Sequence, residues 1–407
     1  MKIVLFLISL LLFPALCAAQ GASVPPDDRK AAAGGNNEFA VDLYGKLEGT
    51  SGNLFFSPAS ISTALAMTYA GARGETAVQM EKTLHFTLGQ QRLHPAMAQL
   101  ISDLNAEGAA DGFQLSVANA LWVQKDDKLL DFYSDTVKNR YGAGLGELDF
   151  KTHAQIARTI INEWVSDKTE HKINDLIPDG AITRDTRLIL TDAVYFKAGW
   201  EKIFKKSATK DGEFQTADKQ SVNVPLMHIT SGFNYMRGGN FQGLELPYKN
   251  RDLSMLIFLP DKPKEFAAFE KNMNAQHLNR WLDEFKLTPK VEVTLPKFKL
   301  DQSFALADTL KEMGMASAFD PKAADFSAMI GKKELYISAV LHKAFVEVDE
   351  EGTEAAAATA VMVATLSAAV NTPPPVIFNA DHPFLFIIRD NRSGSFLFMG
   401  RVSDPTK

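Results

Sequence analysis

Cysteine is nearly missing from this chain of 407 residues, because Cys17 is the only one. No disulfide can form within a chain that has one cysteine, so packing of the core must hold the fold together. Basic residues form no block and no stripe, and the formal net charge is -6. Nucleic acids and anionic membranes both bind basic faces, so neither is expected as the main partner.

The common catalytic patterns are also missing. The sequence has no Gly-x-Ser-x-Gly elbow and no His-Glu-x-x-His pair, and its eight histidines are scattered. Asp349, Glu350, Glu351 and Glu354 form an acidic cluster that suggests a cation site. They lack the alternating ligand pattern of a calcium loop, so a solvated turn is the preferred interpretation. Nothing indicates an enzyme, and no cofactor or metal is expected.

Long apolar runs are confined to the N-terminus. Residues 1–19 have an apolar core and end in small residues, which is typical of a signal peptide cleaved after Ala19. A transmembrane anchor is the alternative, but the run is short; a lipoprotein signal through Cys17 is a weaker one. We therefore predict an exported protein, secreted or periplasmic, with a flexible segment at residues 20–37.

Helical and strand-like segments are mixed in residues 38–407. Residues 57–72 begin with a serine cap and a proline, and residues 153–169 have helical apolar spacing. Segments rich in β-branched and aromatic residues predict strands at 187–200, 253–260, 290–300, 343–349, 383–390 and 395–402. The sequence NRSG between the last two predicts a hairpin and contains a glycosylation sequon at Asn391. Helices crowd the first half and strands the second, which predicts an α+β fold.

The stretch DEEGTEAAAATAVMVATLSAAVNTPPPV, residues 349–376, carries no charge after Glu354. A helix here would be apolar on nearly all sides, a membrane span needs about 20 strongly apolar residues, and a linker normally contains glycine, proline or charge. A fourth possibility is a segment that is exposed at first and becomes a β-strand later. Alternate residues from Thr353 to Val363 would then form one face of small or β-branched side chains. Gly352 supplies a permissive residue just before them.

The alanine stretch and other segments resemble the serpin family of serine protease inhibitors. The resemblance covers about residues 37–405 and rests on NLFFSPASISTALAMTYAGARGET, ANALWVQ, INEWVSDKTEHKINDLIP, LTDAVYFKAGWEKIF, ELPY, LPKF, HKAFVEVDEEGTEA and HPFLFIIRDNRSGSFLFMGRVSDP, in this order. It implies a single domain with three β-sheets, eight to nine helices and an exposed reactive-centre loop at about residues 350–375.

The resemblance also implies inhibition by a suicide-substrate mechanism. A serine protease attacks the loop and forms an acyl-enzyme, and the cut loop then enters the main sheet and distorts the protease. The implied hinge consists of Glu350, Glu351, Gly352, Thr353, Glu354, Ala355, Ala356, Ala357, Ala358 and Thr359. Its small residues favour an inhibitor over a non-inhibitory carrier, storage protein or chaperone. An exported hydrolase, the third class, has no catalytic constellation to support it.

Family spacing implies the position of the reactive bond. Counting fourteen residues from Gly352 gives Leu366–Ser367. Leucine fits an apolar specificity pocket, which implies chymotrypsin-like targets, among them cathepsin G-like proteases. A slip of one residue would make Thr365 the specificity residue, and papain-like cysteine proteases are an alternative target class. The residues before the bond that would contact the protease are Val363, Ala364 and Thr365.

The family also implies residues that control opening of the sheet, namely Ser57, Ser60, Asp192, His342, Trp200 and Lys297. Glu350 and Lys297 would form a salt bridge where the loop enters the sheet, with Trp200 beneath it. The alternative is that these are ordinary core and surface residues, and a helix cap alone explains Ser57 nearly as well. Asp192 departs from the usual asparagine; facing His342, it would form an ionic pair and make sheet opening depend on pH.

The sequence also allows predictions about heparin binding and oligomeric state. Residues 88–108, where relatives carry a basic helix, contain Arg92 as their only strong base. Heparin binding requires a cluster of basic residues, so heparin is not an expected partner. The chain is expected to act as a monomer.

Overall fold

A computed structural model describes the chain at residues 24–108, 113–353 and 374–407. Eight of its helices have six residues or more: α1 (Pro26–Leu47), α2 (Pro58–Gly71), α3 (Gly74–Thr83), α4 (Gly89–Gly108), α5 (Asp131–Tyr141), α6 (Ala154–Lys168), α7 (Phe266–Lys271) and α8 (Ala275–Glu284). Three single turns follow: α9 (Ala307–Leu310), α10 (Ala316–Phe319) and α11 (Ser327–Ile330). The predicted helices at residues 57–72 and 153–169 are confirmed as α2 and α6. None of the helices in the described ranges has the length and apolar character needed to cross a membrane.

The described strands occur along the whole chain, and most of them lie in its second half. They are β1 (Leu54–Phe56), β2 (Phe113–Gln124), β3 (Gly144–Leu148), β4 (Leu188–Gly199), β5 (Lys210–Gln215), β6 (Ser221–Arg237), β7 (Phe241–Pro247), β8 (Leu253–Pro260), β9 (Lys286–Pro296), β10 (Phe298–Ala305), β11 (Ile337–Val348), β12 (Gly352–Thr353), β13 (Val376–Asn379), β14 (Phe384–Asp390) and β15 (Phe396–Val402). The predicted hairpin joins β14 to β15, which pair antiparallel. The predicted α+β fold is confirmed.

The described strands form two hydrogen-bonded sheets, whereas the family resemblance implied three. The larger sheet has the order β1-β15-β14-β8-β7-β6-β9-β13, with β5 paired to β6. The smaller sheet has the order β10-β11-β12-β4-β2-β3. The count differs because β6 is 17 residues long and joins two groups of strands. It pairs with β5 near its start and with β7 near its end. It pairs with β9 on both sides of a register shift between Ser231 and Phe233.

The expectation of a flexible segment at residues 20–37 is wrong from Pro26 onwards, because α1 begins there. Its first turn is held to α4, since Asp28 accepts a hydrogen bond of 3.1 Å from Nε of Arg92. The alanines and glycines suggested flexibility, but here they allow close packing. A Cβ on Gly35 would lie 2.4 Å from a backbone oxygen of the turn after α3. The folded domain therefore begins before residue 38.

The predicted strand at residues 290–300 consists of two strands in different sheets. β9 ends at Pro296 in the larger sheet, and β10 begins at Phe298 in the smaller one. Proline has no N–H to donate, so it commonly lies where a ladder of hydrogen bonds ends. The N–H of Lys297 donates instead to the carbonyl of Pro225 at 3.0 Å. This crossing places Lys297 at the boundary between the two sheets.

The core between the sheets consists largely of aromatic rings. Phe398 of β15 stacks on Phe55 of β1 at 5.2 Å between ring centroids, and Phe196 of β4 approaches Phe398 at 5.4 Å. α6 covers the other face of the smaller sheet, where Ile161 packs with Ala193 of β4. α2 is buried along nearly its whole length and contacts β2, β4 and β15. The N-terminus of α2 consequently lies beneath the smaller sheet.

Candidate functional site

A seam between β11 and β4 divides the smaller sheet. The two strands run parallel and pair directly along β11 from Ile337 to Phe345. Beyond that point β12 enters between them, where Thr353 pairs with Val348 of β11 and Ala198 of β4. β12 is antiparallel to both neighbours. The seam is thus closed along most of its length and is occupied at one end by the first two residues of another strand.

Gly352 and Thr353 fit closely into this end of the seam. A Cβ added to Gly352 would lie 2.1 Å from the backbone oxygen of Ala198, so a side chain here would displace β4. Thr353 is 0% exposed, and its Oγ1 lies 2.8 Å from the hydroxyl of Tyr248. Burial raises the pKa of Tyr248, so its phenol stays protonated. The start of β12 is therefore both sterically fitted and hydrogen-bonded.

Glu350 holds the turn that precedes β12. Nζ of Lys297 donates to its Oε2 at 2.9 Å, and Oγ1 of Thr209 donates to its Oε1 at 2.8 Å. The Glu350 side chain is 5% exposed. Burial alone would raise the pKa of Glu350, but hydrogen bonds from Lys297, the backbone and Thr209 outweigh burial and lower it. The carboxylate is therefore charged at neutral pH, and the structure brings together the Glu350–Lys297 pair that the sequence suggested.

Trp200, directly after β4, fixes the same turn from the other side. Its Nε1 donates to the carbonyl of Asp349 at 3.0 Å, and its backbone N–H donates to the carbonyl of Glu351 at 2.9 Å. Its ring stacks on that of Tyr248 with 4.6 Å between centroids. Trp200 and Tyr248 thus form an aromatic support beneath the end of the seam.

The described members of the acidic cluster bind partners within the protein. Glu351 lies 2.5 Å from Nζ of Lys206, and Glu350 has the partners given above. Oδ1 of Asp349 accepts two backbone N–H groups of the turn at 2.9 and 3.2 Å. Among the described residues, no group of three or more His, Cys, Asp or Glu side chains is placed to hold a metal ion. The geometry favours an acidic turn over a cation site.

A buried polar cluster lies beneath the middle of the seam. His342 of β11 is opposite Asp192 of β4, with 3.3 Å between Nδ1 and Oδ2, and the side chains are 0% and 1% exposed. Oγ of Ser60 donates to Asp192 at 2.6 Å and lies 2.9 Å from Oδ1 of Asn119. The N–H of Ser57 donates to Nε2 of His342 at 3.0 Å. The N-terminus of α2 is thereby linked to both strands of the seam and to β2.

The contact with Ser57 determines the tautomer of His342. A backbone N–H only donates, so Nε2 must accept and the hydrogen of the neutral ring is assigned to Nδ1. That hydrogen faces Asp192. The sequence suggested a pair of His342 and Asp192, and the structure does place these two side chains together.

Sequence reasoning missed three side chains of this site. Tyr248 contacts Thr353, Thr209 binds Glu350, and Asn119 lies against Ser60. Tyr248 ends the ELPY motif and Asn119 lies in ANALWVQ, so both had a signal in the sequence. Thr209 lies in no such motif.

Several predicted residues lie outside the described residues. They are the signal peptide at 1–19, the hinge residues Glu354, Ala355, Ala356, Ala357, Ala358 and Thr359, the loop residues Val363, Ala364 and Thr365, and the reactive bond Leu366–Ser367.

The carboxylate of Glu350 is expected to stabilise the fold in a pH-dependent way. Glu350→Gln removes a charge-assisted hydrogen bond and should lower the free energy of unfolding by about 1.5–3 kcal/mol at pH 7. Because the folded pKa is lowered, this stabilisation exists above the unfolded pKa and is lost as the pH falls through the folded pKa. The difference between the wild type and the variant should therefore shrink in urea titrations as the pH is lowered.

Glu347→Gln is the matched control, because Glu347 is half-exposed and lies 3.9 Å from its partner Lys299. Exposed pairs contribute about 0–1 kcal/mol, so this variant should unfold nearly like the wild type. Equal destabilisation by both substitutions at pH 7 would show that the buried contacts of Glu350 stabilise the fold no more than an exposed ion pair does.

The fold and site define an α+β protein whose smaller sheet already holds the start of an additional strand. The chain belongs to the serpin family: the family model "Serpin (serine protease inhibitor)" matches residues 34–405. The chain is 42% identical over 375 residues to a leukocyte elastase inhibitor of Xenopus tropicalis, covering 90% of this chain and 97% of that protein. It is 40% identical over 379 residues to the leukocyte elastase inhibitor of Homo sapiens, covering 91% and 98%.

Solved structures agree with this assignment. Human thyroxine-binding globulin, in complex with thyroxine, superposes with a TM-score of 0.83 at 30% identity. The match covers 93% of this chain and 100% of that one. The serpin fold, in a single domain, is therefore shown by sequence and structure together.

The prediction of an exported protein is wrong. Relatives that match at 40–42% identity include several leukocyte elastase inhibitors, which are intracellular serpins. The family match begins only at residue 34, after the segment in which a signal peptide is predicted. The relatives give no support to secretion.

Proposed function

We propose that this serpin inhibits a chymotrypsin-like serine protease as a suicide substrate. The protease serine attacks the carbonyl carbon of Leu366, the bond to the nitrogen of Ser367 breaks, and the new amino group leaves as an ester forms. The freed segment then enters the seam between β11 and β4 as a full strand. Hydrolysis of the ester stops because the protease is carried along and distorted.

The observation that carries this proposal is the position of β12. Gly352 and Thr353 occupy the end of the seam in antiparallel register with both neighbouring strands. The next residues of the chain need only continue the same register to extend β12 along the seam. Insertion is therefore the growth of an existing strand, which avoids the cost of starting a new one.

The chemistry of the seam favours completion of the strand. Parallel pairing is slightly less stable per residue than antiparallel pairing, and a central strand would replace one parallel ladder with two antiparallel ones. Each new hydrogen bond adds about 0.5–1.5 kcal/mol net. Alanines lose no side-chain rotamer entropy on burial, so Ala355 to Ala358 suit this role. Two costs oppose insertion of the strand: β11 must separate from β4, and the cluster around His342 must be disturbed.

The target class follows from Leu366. A leucine side chain fills an apolar specificity pocket and leaves the acidic pocket of a trypsin-like protease without a partner. The relatives named leukocyte elastase inhibitor support a serine protease as the partner. Heparin is not expected to assist, because Arg92 of α4 is engaged with Asp28.

Incubation with chymotrypsin and with trypsin tests the proposal directly. Chymotrypsin should give a complex that survives a denaturing gel, with cleavage after Leu366 found by mass spectrometry, and trypsin should not. A separate sample, nicked in the loop by a non-target protease, should melt roughly 10 °C or more above the intact protein, because a strand of new hydrogen bonds is added.

Clean cleavage without a complex would instead favour the non-inhibitory alternative, a carrier, storage protein or chaperone. An unchanged melting temperature after nicking would show that the loop does not enter the seam. Either result would overturn the inhibitory mechanism without affecting membership of the family.

Opening of the seam is expected to depend on the cluster around His342. The groups that face its ring are Asp192 from β4, the N–H of Ser57 from α2 and the ring of Phe304 from β10, whose centroid lies 6.3 Å away. Separation of β11 from β4 breaks the contact between His342 and Asp192, so this contact resists loop insertion.

Asp192→Asn is the informative variant, since it keeps the shape and removes the charge. Its insertion rate, followed by tryptophan fluorescence after mixing with protease, should be faster than that of the wild type at the same pH, because the contact across the seam is weakened. An unchanged insertion rate would count against this role for the cluster around His342.

A further inference from the structure

A small cleft lies between α2, α4 and α5, apart from the seam. Its volume is about 230 Å³, and Arg73, Gln90, His94, Phe132 and Arg140 contribute to its walls. We call it the arginine cleft. No aspartate or glutamate of the described chain lines it. The proposed inhibitory mechanism makes no use of these residues.

His94 has an unpaired donor in this region. The residue is 8% exposed, and Nδ1 lies 2.5 Å from the hydroxyl of Tyr141. Burial raises the pKa of Tyr141, so its phenol remains protonated and donates to Nδ1. The neutral ring then carries its hydrogen on Nε2, which is buried and has no hydrogen-bond partner. Buried donors are nearly always satisfied, so this one calls for an acceptor.

His94 forms part of the wall of the arginine cleft. Tyr141 lines a neighbouring cavity of about 740 Å³ and does not line the arginine cleft. His94 lines the cleft and does not line that larger cavity. Because Nδ1 is bound to Tyr141, Nε2 is the ring nitrogen that is left for an acceptor.

Two guanidinium groups add positive charge to the same space. Arg140 makes no hydrogen bond or ion pair with any described residue, and no described carboxylate pairs with Arg73. Nη1 of Arg73 donates to the carbonyl of Ala72 at 2.6 Å and to Gln90 at 3.1 Å, which fixes its position. Burial, together with Arg140 and Arg73, lowers the pKa of His94 to about 4. The cleft thus has positive charge and an unmatched donor, and its described lining residues include no carboxylate to balance them.

We propose that the arginine cleft binds a small organic carboxylate. Its oxygens accept hydrogen bonds from Nε2 of His94 and from the guanidinium groups of Arg73 and Arg140. Planar guanidinium groups match the two oxygens of a carboxylate, and such charge-assisted bonds are strong.

An apolar part of the ligand fits the remaining wall. Phe132 is 53% exposed, unusually open for an aromatic side chain, and Pro95 and Ala70 lie on the same cleft. A volume of 230 Å³ admits one ring with its carboxylate and excludes an extended polyanion. The ligand class is therefore a free aromatic or short aliphatic monocarboxylate.

Benzoate is a suitable probe, and benzyl alcohol is its uncharged counterpart with the same ring. Calorimetry on the whole protein should detect saturable benzoate binding and at least tenfold weaker binding of benzyl alcohol. In the wild type, the His94 ring should titrate at a higher pH when benzoate is bound, because the anion offsets both arginines. This NMR measurement reports on the cleft without any substitution.

Arg140→Gln should weaken benzoate binding at least fivefold, because it removes a charged donor from an exposed position without disturbing other contacts. Lys138→Gln is the matched control, since it removes one positive charge from the same helix outside the cleft, and it should change the affinity less than twofold. The proposal fails if benzoate does not bind at concentrations up to about 20 mM, or if both probes bind equally. It also fails if the two variants weaken binding alike, since this would indicate a nonspecific charge effect.

Discussion

Leu366→Arg should convert the protein from an inhibitor of chymotrypsin into an inhibitor of trypsin. An arginine brings a charge into the apolar pocket of chymotrypsin, where it loses its hydration without gaining a partner. The same side chain pairs with the aspartate at the base of the trypsin pocket. We expect the second-order rate constant for chymotrypsin to fall by about a hundredfold or more, with a gain of similar size for trypsin. Rates of complex formation with both proteases provide the measurement.

Thr365→Arg and Ser367→Ala are the controls for this substitution. If the reactive bond follows Leu366, Thr365→Arg leaves chymotrypsin as the preferred target, and Ser367→Ala has little effect. Transfer of inhibition to trypsin by Thr365→Arg instead would place the bond one residue earlier. Loss of both activities in Leu366→Arg, in a variant that still melts like the wild type, would contradict the assignment of the target class.

Thr353→Arg should abolish inhibition while leaving the loop cleavable. Thr353 is 0% exposed between β11 and β4, and an arginine there would carry an unpaired charge into the sheet. Insertion would slow, so that hydrolysis of the acyl-enzyme finishes first. We expect the fraction of chymotrypsin trapped in complex to fall more than tenfold. The variant, when nicked in the loop, should also lack the rise in melting temperature that is expected for the nicked wild type.

Thr353→Val provides the matched variant, because it keeps the β-branched shape and removes only the hydroxyl that meets Tyr248. Loss of one neutral hydrogen bond costs about 0.5–1.5 kcal/mol, so most of the inhibition should remain. Trapping by Thr353→Arg at the wild-type level would show that close packing of this residue between β11 and β4 is not needed for inhibition.

Local patterns in the sequence predicted the regular elements well. Helical spacing at residues 153–169 corresponds to α6 at Ala154–Lys168, and the serine and proline at residues 57–58 do begin α2. These signals succeed because capping and periodicity depend on neighbours within one or two turns. The same patterns failed at Lys297, because a strand that changes sheets keeps its alternation while its partners change.

The prediction for the N-terminal part of α1 failed for a different reason. Its glycines and alanines have weak or mixed local preferences, and the helix is stabilised by burial against α4 and the turn after α3. Such packing involves residues far away along the chain. A composition rich in small residues is therefore compatible with a loose segment and with a closely packed helix.

The sequence by itself determined the family and the α+β class, and it predicted a reactive bond fourteen residues after Gly352, at Leu366–Ser367. Only the tertiary structure decided which distant side chains meet at the seam. Glu350 reaches Lys297 across 53 positions, and Thr353 reaches Tyr248 across 105. It also decided that the N–H of Ser57 bonds to the ring of His342. The physical reason is that periodicity is a local property, whereas strand register and the packing of α2 beneath the sheet depend on the whole chain.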